Sequence, residues 1–261
     1  MNQTAPIDRL IAFGPLKVWS VVMTIMGDLC RAPTDRIEGP VLTRLVEEMG
    51  INNQALRVAL HRLKRDGWIE AERDGRVSSY ALTSEGRARS EAVRPLIYGT
   101  ESVAGRVAYL VLPDPAMSTP SFAETMPDDT VFPSPRAGLT AGPRADLPEG
   151  ALVAPLDAST APDWVSEVVI SPKALGEYEG LTAALTGLGP APDGVLQATV
   201  IRLLSFHHWR RLRLRHGDLP DVLLGPGWPG ARARSAISDV LSRYPRPTMD
   251  ELRTAIGATA V

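Results

Sequence analysis

The chain has 261 residues, a formal net charge of −2 and 44% hydrophobic residues, which is enough for two domains or three small ones. A single cysteine, Cys30, excludes an internal disulfide framework and any zinc site built from several thiolates. No stretch reaches the roughly 18 apolar residues of a transmembrane helix, and the first residues lack the apolar core of a signal peptide. These observations predict a cytoplasmic protein with no membrane partner, in which Cys30 is a small buried side chain.

Proline content and charge divide the chain into three segments. Residues 112–164 contain ten prolines and eight acidic against two basic residues. This composition excludes a long helix and would repel a phosphate backbone. Residues 50–94 carry nine basic and six acidic residues, so any nucleic-acid surface belongs to the N-terminal segment. We expect the segments to be 1–98, 99–170 and 171–261.

Apolar residues at helical spacing predict three helices in the N-terminal segment. The first spans 15–30, and the second begins at Gly39-Pro40 and ends at Gly50. Asn52 is a good N-cap for a third helix over 53–66. Because a short turn with a glycine separates the second and third helices, the pair has the helix-turn-helix signature. The apolar residues expected on the buried face of the first helix are Leu16, Trp19, Val22, Met23 and Met26.

The third helix has two contrasting faces. One face is apolar and consists of Leu56, Ala59, Leu60 and Leu63. The candidate DNA-contacting residues, which occupy another sector, are Asn53, Gln54, Arg57, His61 and Lys64, with Arg62 and Arg65 flanking them. Asn and Gln can pair bidentately with adenine, Arg with guanine, and flanking cations with phosphates. The alternative is the solvated polar face of an ordinary helix.

A β-hairpin is predicted directly after this helix. Residues 68–72 alternate as a strand, Asp-Gly within 73–76 marks a tight turn, and 77–82 form the return strand. Arg73 and Arg76 at the tip can reach an adjacent minor groove or its phosphates. Helices followed by a basic helix and a hairpin make a winged helix-turn-helix, so we predict binding to double-stranded DNA.

A further helix over 84–98, capped by Thr83, completes the N-terminal segment. Since one winged helix reads only a short half-site, we expect a homodimer on an inverted-repeat operator.

Two motifs resemble one known family. The stretch from Gly50 to Arg87, with "ALRVALHRLKRDGW" and "GRVSSYALTSEGR", resembles the winged-helix domain of PaaX-type transcriptional regulators. "FHHWRRLRLRHGDLPDVLLGPGWPG", from Phe206 to Gly230, resembles the C-terminal signature of that family. The resemblance implies a repressor of phenylacetate catabolic genes that is relieved by phenylacetyl-coenzyme A.

The resemblance also implies a ferredoxin-like βαββαβ module in the middle. Here 107–112, 129–141 and 151–156 fit its strands, and 161–167 fits a short helix. The predicted fold class is therefore α+β: an N-terminal winged helix-turn-helix, a small ferredoxin-like α/β middle module and an all-α C-terminal domain.

The predicted helix 195–216 combines aromatic and cationic side chains. Arginine forks suit the phosphates of an acyl-coenzyme A, and apolar side chains suit its acyl group. In the alternative, the arginines pair with the acidic middle segment and Trp209 and Trp228 are core residues. Neighbouring histidines on a helix point about 100° apart, so we expect no metal and no other cofactor. The candidate ligand-binding residues are Arg202, Phe206, His207, Trp209, Arg210 and Arg213.

Enzymatic motifs are lacking. The sequence contains no G-x-S-x-G, no P-loop and no G-x-G-x-x-G, so we expect no catalytic residues. Two alternatives to a DNA-binding regulator stay open. One is a metal-dependent nuclease that uses Asp114, after the first strand of the middle module. The other is an interaction scaffold that does not bind DNA.

Overall fold

The computed structural model describes residues 6–75, 77–99, 106–159 and 161–257, and in these ranges the fold mixes helices with two antiparallel sheets. The helices are α1 (Pro6–Ala12), α2 (Val18–Leu29), α3 (Gly39–Glu48), α4 (Asn53–Arg65), α5 (Ser84–Ala92), α6 (Arg94–Tyr98), α7 (Thr119–Thr125), α8 (Asp163–Val169), α9 (Pro172–Thr186), α10 (Val195–His216), α11 (Leu219–Leu224), α12 (Pro229–Arg243) and α13 (Met249–Ala255). The strands are β1 (Ile37–Glu38), β2 (Ile69–Asp74), β3 (Val77–Leu82), β4 (Ala108–Leu112), β5 (Val131–Ser134), β6 (Ala137–Thr140) and β7 (Leu152–Leu156). Among the described residues, no helix combines the length and the apolarity needed to cross a bilayer.

The chain forms two compact units whose boundaries fall inside α6, α9, α10 and α12. The first unit consists of the residues up to 95, residues 183–210 and the chain from 236 onward. The second unit consists of residues 96–182 and 211–235. The units therefore cut across the three consecutive segments expected from the sequence. The reason lies in the C-terminal helices, whose polar side chains contact residues of α2.

The predicted helices α3 and α4 are confirmed, and local chemistry explains their ends. Pro40 lies in the first turn of α3, where its missing N–H is harmless. The Asn52 side chain accepts a hydrogen bond from the Ala55 N–H at 2.8 Å and caps α4. Gly50, with φ of 75°, makes the turn between the helices. The predicted apolar face of α4 is confirmed, because Leu56, Ala59, Leu60 and Leu63 are all buried.

The prediction of a single buried face on the first helix is wrong. The helix begins at Val18 instead of residue 15, and Trp19 is 38% exposed. From Val21 to Met26 every residue is buried, including the polar Thr24, and Asp28 is buried too. Residues of α10 cover the polar side of α2, a contact that the periodicity of α2 alone does not predict.

The predicted hairpin is confirmed, and it belongs to a three-stranded antiparallel sheet of order β1-β3-β2. Asp74 pairs with Val77, which leaves a two-residue loop, and Gly75 adopts φ of 56° there, as a tight hairpin turn requires. The helix expected over 84–98 is interrupted. It breaks between Ala92 and Arg94, because Pro95 has no N–H to donate to the Glu91 carbonyl and its ring would clash with that carbonyl in a continuous helix.

The second unit contains the other antiparallel sheet, with strand order β5-β6-β4-β7. The chain passes from β4 through α7 to β5, and β6 then inserts between these two strands. A single 3₁₀ turn, Arg144–Asp146, joins β6 to β7, and α8 follows β7. The order is thus βαβββα, which differs from the βαββαβ order that the resemblance implies. Pro143 and Pro148 bracket the 3₁₀ turn and oppose a longer helix there.

Both faces of this sheet are covered. Leu139 packs with Val165 of α8 and Leu219 of α11 on one face. Val111 packs with Phe122 of α7 on the other. The predicted positions of the strands and of the short helix in this segment agree with the structure to within two residues at most ends.

A close backbone contact fixes the start of α5 and gives a stability test. The Thr83 hydroxyl donates to the Gly67 carbonyl at 2.6 Å and accepts from the Gly86 N–H at 2.9 Å. A Cβ on Gly86 would lie 2.1 Å from the Trp68 carbonyl oxygen, whereas a Cβ on Gly27 would meet nothing within 4 Å.

We therefore expect Gly86→Ala to lower the free energy of unfolding by about 1–3 kcal/mol, as overpacking does. The matched change Gly27→Ala should raise it by about 0.5–1 kcal/mol, because alanine is the better helix former. Urea unfolding followed by circular dichroism measures both. Equal stabilities for the two variants would contradict the close contact at α5.

Candidate nucleic-acid interface

The predicted DNA-contacting residues of α4 lie on the outward face of this helix. All seven of its candidates are exposed, while the apolar face holds the helix to its neighbours α2 and α3. The exposed candidates are Asn53, Gln54, Arg57, His61, Arg62, Lys64 and Arg65. The structure thus brings amide, imidazole and cationic groups together on one side of a rigid helix.

The cations of this face differ in how they are held. Asp66, the C-cap of α4, accepts from Arg62 at 3.4 Å and from Arg65 at 3.1 Å. Exposed pairs of this kind contribute under about 1 kcal/mol, so a phosphate can replace the carboxylate at small cost. In the described part of the chain, no ion pair involves Arg57 or Lys64.

Trp19 is a neighbour of this face that the sequence analysis missed. The Arg62 guanidinium lies 5.6 Å from the centre of the Trp19 ring, which is within cation–π range. The spacing of apolar residues in the first helix predicts that Trp19 belongs to the core, and this prediction is wrong for Trp19. Its place at the N-terminal end of α2, outside the buried stretch from Val21 onward, leaves one side of the ring for Arg62.

The hairpin adds one described cation near its tip. Arg73 is exposed, and its Nε donates to the Gly75 carbonyl at 3.2 Å. Arg76, the other predicted tip residue, lies outside the described residues. Arg36, just before β1, pairs with both Glu70 and Glu72 of β2 at 3.4 Å, so one cation offsets part of the negative charge of that strand.

A row of polar contacts joins α2 to α10 inside the first unit. Its members are spaced by four residues on α2, so they share one face of that helix. We call this row the α2–α10 ladder: Ser20 with Arg210 at 3.3 Å, Thr24 with His207 at 3.1 Å, and Asp28 with Arg202 at 2.7 and 2.9 Å.

The Asp28–Arg202 pair is the buried end of the ladder. Arg202 Nε and Nη2 donate to the two carboxylate oxygens, a bidentate geometry. Arg202 Nη1 donates to the carbonyls of Leu241 and Tyr244 at 3.0 and 2.8 Å. Every nitrogen of this guanidinium therefore donates to a protein oxygen, and Arg202 acts as a structural cation.

The other predicted ligand-binding residues are also mostly enclosed. Phe206, His207 and Trp209 are buried, and so is Arg213. Arg210 is the one candidate of the six that is partly exposed.

The carboxylates that pair with Arg202 and Arg213 come from α2 and from residues 218 and 221. None of these belongs to the acidic stretch 112–164 with which the alternative paired the arginines. The ligand-binding role of the six residues stays a prediction, and a phosphate at Arg202 or Arg213 would have to displace a protein carboxylate.

Residues of the C-terminal motif build the second unit. Asp221 accepts hydrogen bonds from Arg213 at 2.8 Å, from Trp228 Nε1 at 2.9 Å and from Arg234. The Trp228 ring lies so close to Gly230 that a Cβ there would be 2.1 Å from the ring. In the W-P-G sequence the Trp228 ring therefore packs against Gly230. The Trp228 side chain belongs to the core, as the alternative predicted.

The remaining chemistry-bearing residues have local roles. Burial raises the pKa of the Cys30 thiol to about 12, so this thiol stays protonated. Asp114 Oδ1 accepts from the Ala116 N–H at 2.7 Å, which is an ordinary Asx turn. In the described ranges, no group of three or more His, Cys, Asp or Glu side chains could hold a metal ion.

Comparison with known proteins identifies the class. Residues 17–86 match the family model described as PaaX-like protein, and residues 177–251 match the model of the PaaX-like protein C-terminal domain. The chain therefore belongs to the PaaX family of transcriptional regulators.

Two individual proteins are similar over most of the chain. The transcriptional repressor PaaX of Escherichia coli (strain K12) is 25% identical over 256 residues, which cover 88% of this chain and 81% of that protein. The solved structure of the uncharacterised protein Rv0674 from Mycobacterium tuberculosis has a TM-score of 0.54 at 19% identity. This match covers 93% of this chain and all of that one, and it shows a shared fold.

Removal of the Arg202 side chain should destabilise the fold far more than removal of an exposed arginine side chain. We expect Arg202→Ala to lower the free energy of unfolding by about 3–5 kcal/mol, because it removes the bidentate partner of a buried carboxylate whose ion pair with Arg31 is longer, at 3.5 Å. Arg215, whose exposed side chain pairs with Glu177 at 3.2 Å, is the matched control, and its change to Ala should cost under about 1 kcal/mol.

Chemical denaturation of both variants provides the comparison. The double variant Asp28→Leu with Arg202→Met should recover most of the loss, since apolar replacement of a whole buried pair is often neutral. Indistinguishable stabilities for Arg202→Ala and Arg215→Ala would contradict the structural role of the pair.

Proposed function

We propose that this protein is a sequence-specific DNA-binding transcriptional regulator in which α4 enters the major groove. The observation that carries the proposal is the exposed polar and cationic face of α4, held rigid by its buried leucines. The β2–β3 hairpin acts as the wing of a winged helix-turn-helix. Membership of a family of transcriptional regulators supports the same function.

The residues of α4 divide by role. Asn53 and Gln54 suit adenine, and Arg57 suits guanine, because these side chains pair bidentately with those bases. Arg62, Arg65 and Lys64, at the end of the helix, position the protein on phosphates. His61 lies between the two groups, and Arg73 and Arg76 of the hairpin contact the neighbouring backbone or minor groove.

The proposal extends to regulation. The chain acts in the cytoplasm as a repressor, which is what its Escherichia coli relative is named. It binds an inverted-repeat operator as a homodimer, because one winged helix covers only a half-site. An acyl-coenzyme A of the phenylacetyl type releases it. Release requires the effector to bind the DNA-free dimer geometry more tightly.

Sequencing the genomic fragments that the purified protein retains tests the function directly. Retention is compared with and without acyl-coenzyme A esters, including phenylacetyl-coenzyme A. We expect a shared palindromic motif that is lost from the retained pool when the effector is present. Retention without any enriched motif would contradict sequence-specific regulation.

Arg57 should read a base. We expect Arg57→Ala to weaken operator binding by about 1–3 kcal/mol and to relax specificity at one base pair per half-site. Arg232→Ala, which removes an equal charge from the second unit, should leave binding unchanged. Titration of labelled operator and random duplex measures both variants. An equal loss on the two duplexes would assign Arg57 to the phosphate backbone.

Arg62 and Arg65 should contact phosphates. Each change to Ala should reduce the slope of log K against log salt by roughly one unit and weaken all sequences alike. The apolar-to-apolar change Val58→Ala on the same helix should leave the slope unaltered. Binding measured over a series of salt concentrations provides the slopes. Unaltered slopes in both arginine variants would remove the phosphate assignment.

A further inference from the structure

One apolar side chain lies on the otherwise polar outward face of α4. Val58 is 65% exposed, the highest value among the large hydrophobic residues of the described chain. It is not among the buried residues of α4. It follows Arg57 directly in the chain, so it belongs to the central turn of the helix.

The position of Val58 places it among the proposed base-contacting groups. At about 100° per residue, Gln54 and Arg62 are one turn away and within about 40° of Val58 around the axis. The three side chains therefore form one row on the helix surface. In a helix whose outward face meets DNA, the middle of such a row faces base edges.

Helix stability does not account for a valine here. Valine is a weaker helix former than alanine, glutamine or arginine, and an exposed isopropyl group gains nothing from burial in the free protein. No other residue of α4 is an exposed large hydrophobe, so Val58 is not part of an apolar docking patch on this helix. Contact with an apolar group of a ligand does account for it.

The major groove offers one such group. Thymine alone among the four bases presents a methyl group there. We propose that Val58 is a specificity-determining residue that selects thymine through this methyl group. The inference rests on the proposed function of α4 and names one base of the DNA sequence that this helix would recognise. With a rise of about 6 Å per four residues, the thymine lies within about two base pairs of the position that Gln54 reads.

Deoxyuridine substitution tests this contact, because it removes only the methyl group of one thymine at a time. Each thymine of the enriched motif is replaced by deoxyuridine, which lacks only the methyl group, and binding is titrated. The wild-type chain should lose about fourfold at one position per half-site, the effect of exposing one methyl-sized group. Val58→Ala should bind the thymine and deoxyuridine duplexes equally at that position.

Two further variants control the test. Arg57→Ala should bind more weakly but keep the thymine preference, because its partner is a different base. Val58→Thr retains one methyl group and should keep part of the preference. The melting temperature of each variant verifies folding.

The outcomes separate the inference from the function on which it rests. A wild-type chain that binds the motif but ignores every thymine-to-deoxyuridine change would overturn the role of Val58 and leave DNA binding intact. A preference that persists undiminished in Val58→Ala would also overturn it, since another residue would then read the methyl group. A chain that enriches no motif would remove both the proposed function and this inference.

Discussion

The buried ion pair between Asp28 and Arg202 is the constraint on which the first unit depends. An isolated charge in a protein interior costs several kcal/mol, so each partner requires the other. Arg202 belongs to α10 and Asp28 to α2, 174 residues apart in the chain. Their pairing ties the C-terminal helices to the N-terminal segment, and Arg246 adds a contact to the Asp28 carbonyl at 3.2 Å.

This arrangement makes α2 the shared support of the first unit. Its apolar residues face α4, while Ser20, Thr24 and Asp28 face α10 through the α2–α10 ladder. Arg210, the partly exposed end of the ladder, contacts Ser20 of the same helix α2 that packs against α4.

The two regions matched by the family models carry different kinds of information. In the C-terminal match, Asp221, Trp228 and Gly230 form a packed structural cluster. In the N-terminal match, the leucines of α4 fix the helix and its outward residues are free to differ without loss of fold. The family resemblance thus reports chiefly on architecture, and our proposal assigns operator choice to the outward face of α4, where we place Val58.

The sequence alone determined the elements whose signals are local. The Asn52 cap, the Asp-Gly hairpin and the apolar period of α4 depend on neighbouring residues, so their prediction from the sequence was confirmed. Tertiary structure decided what depends on distant partners. The periodicity of α2 cannot reveal that α10 covers its polar face. Likewise, the sequence of α10 does not reveal that Arg202 and Arg213 are paired with Asp28 and Asp221. Burial and charge pairing join residues far apart in the chain, and no local pattern records them.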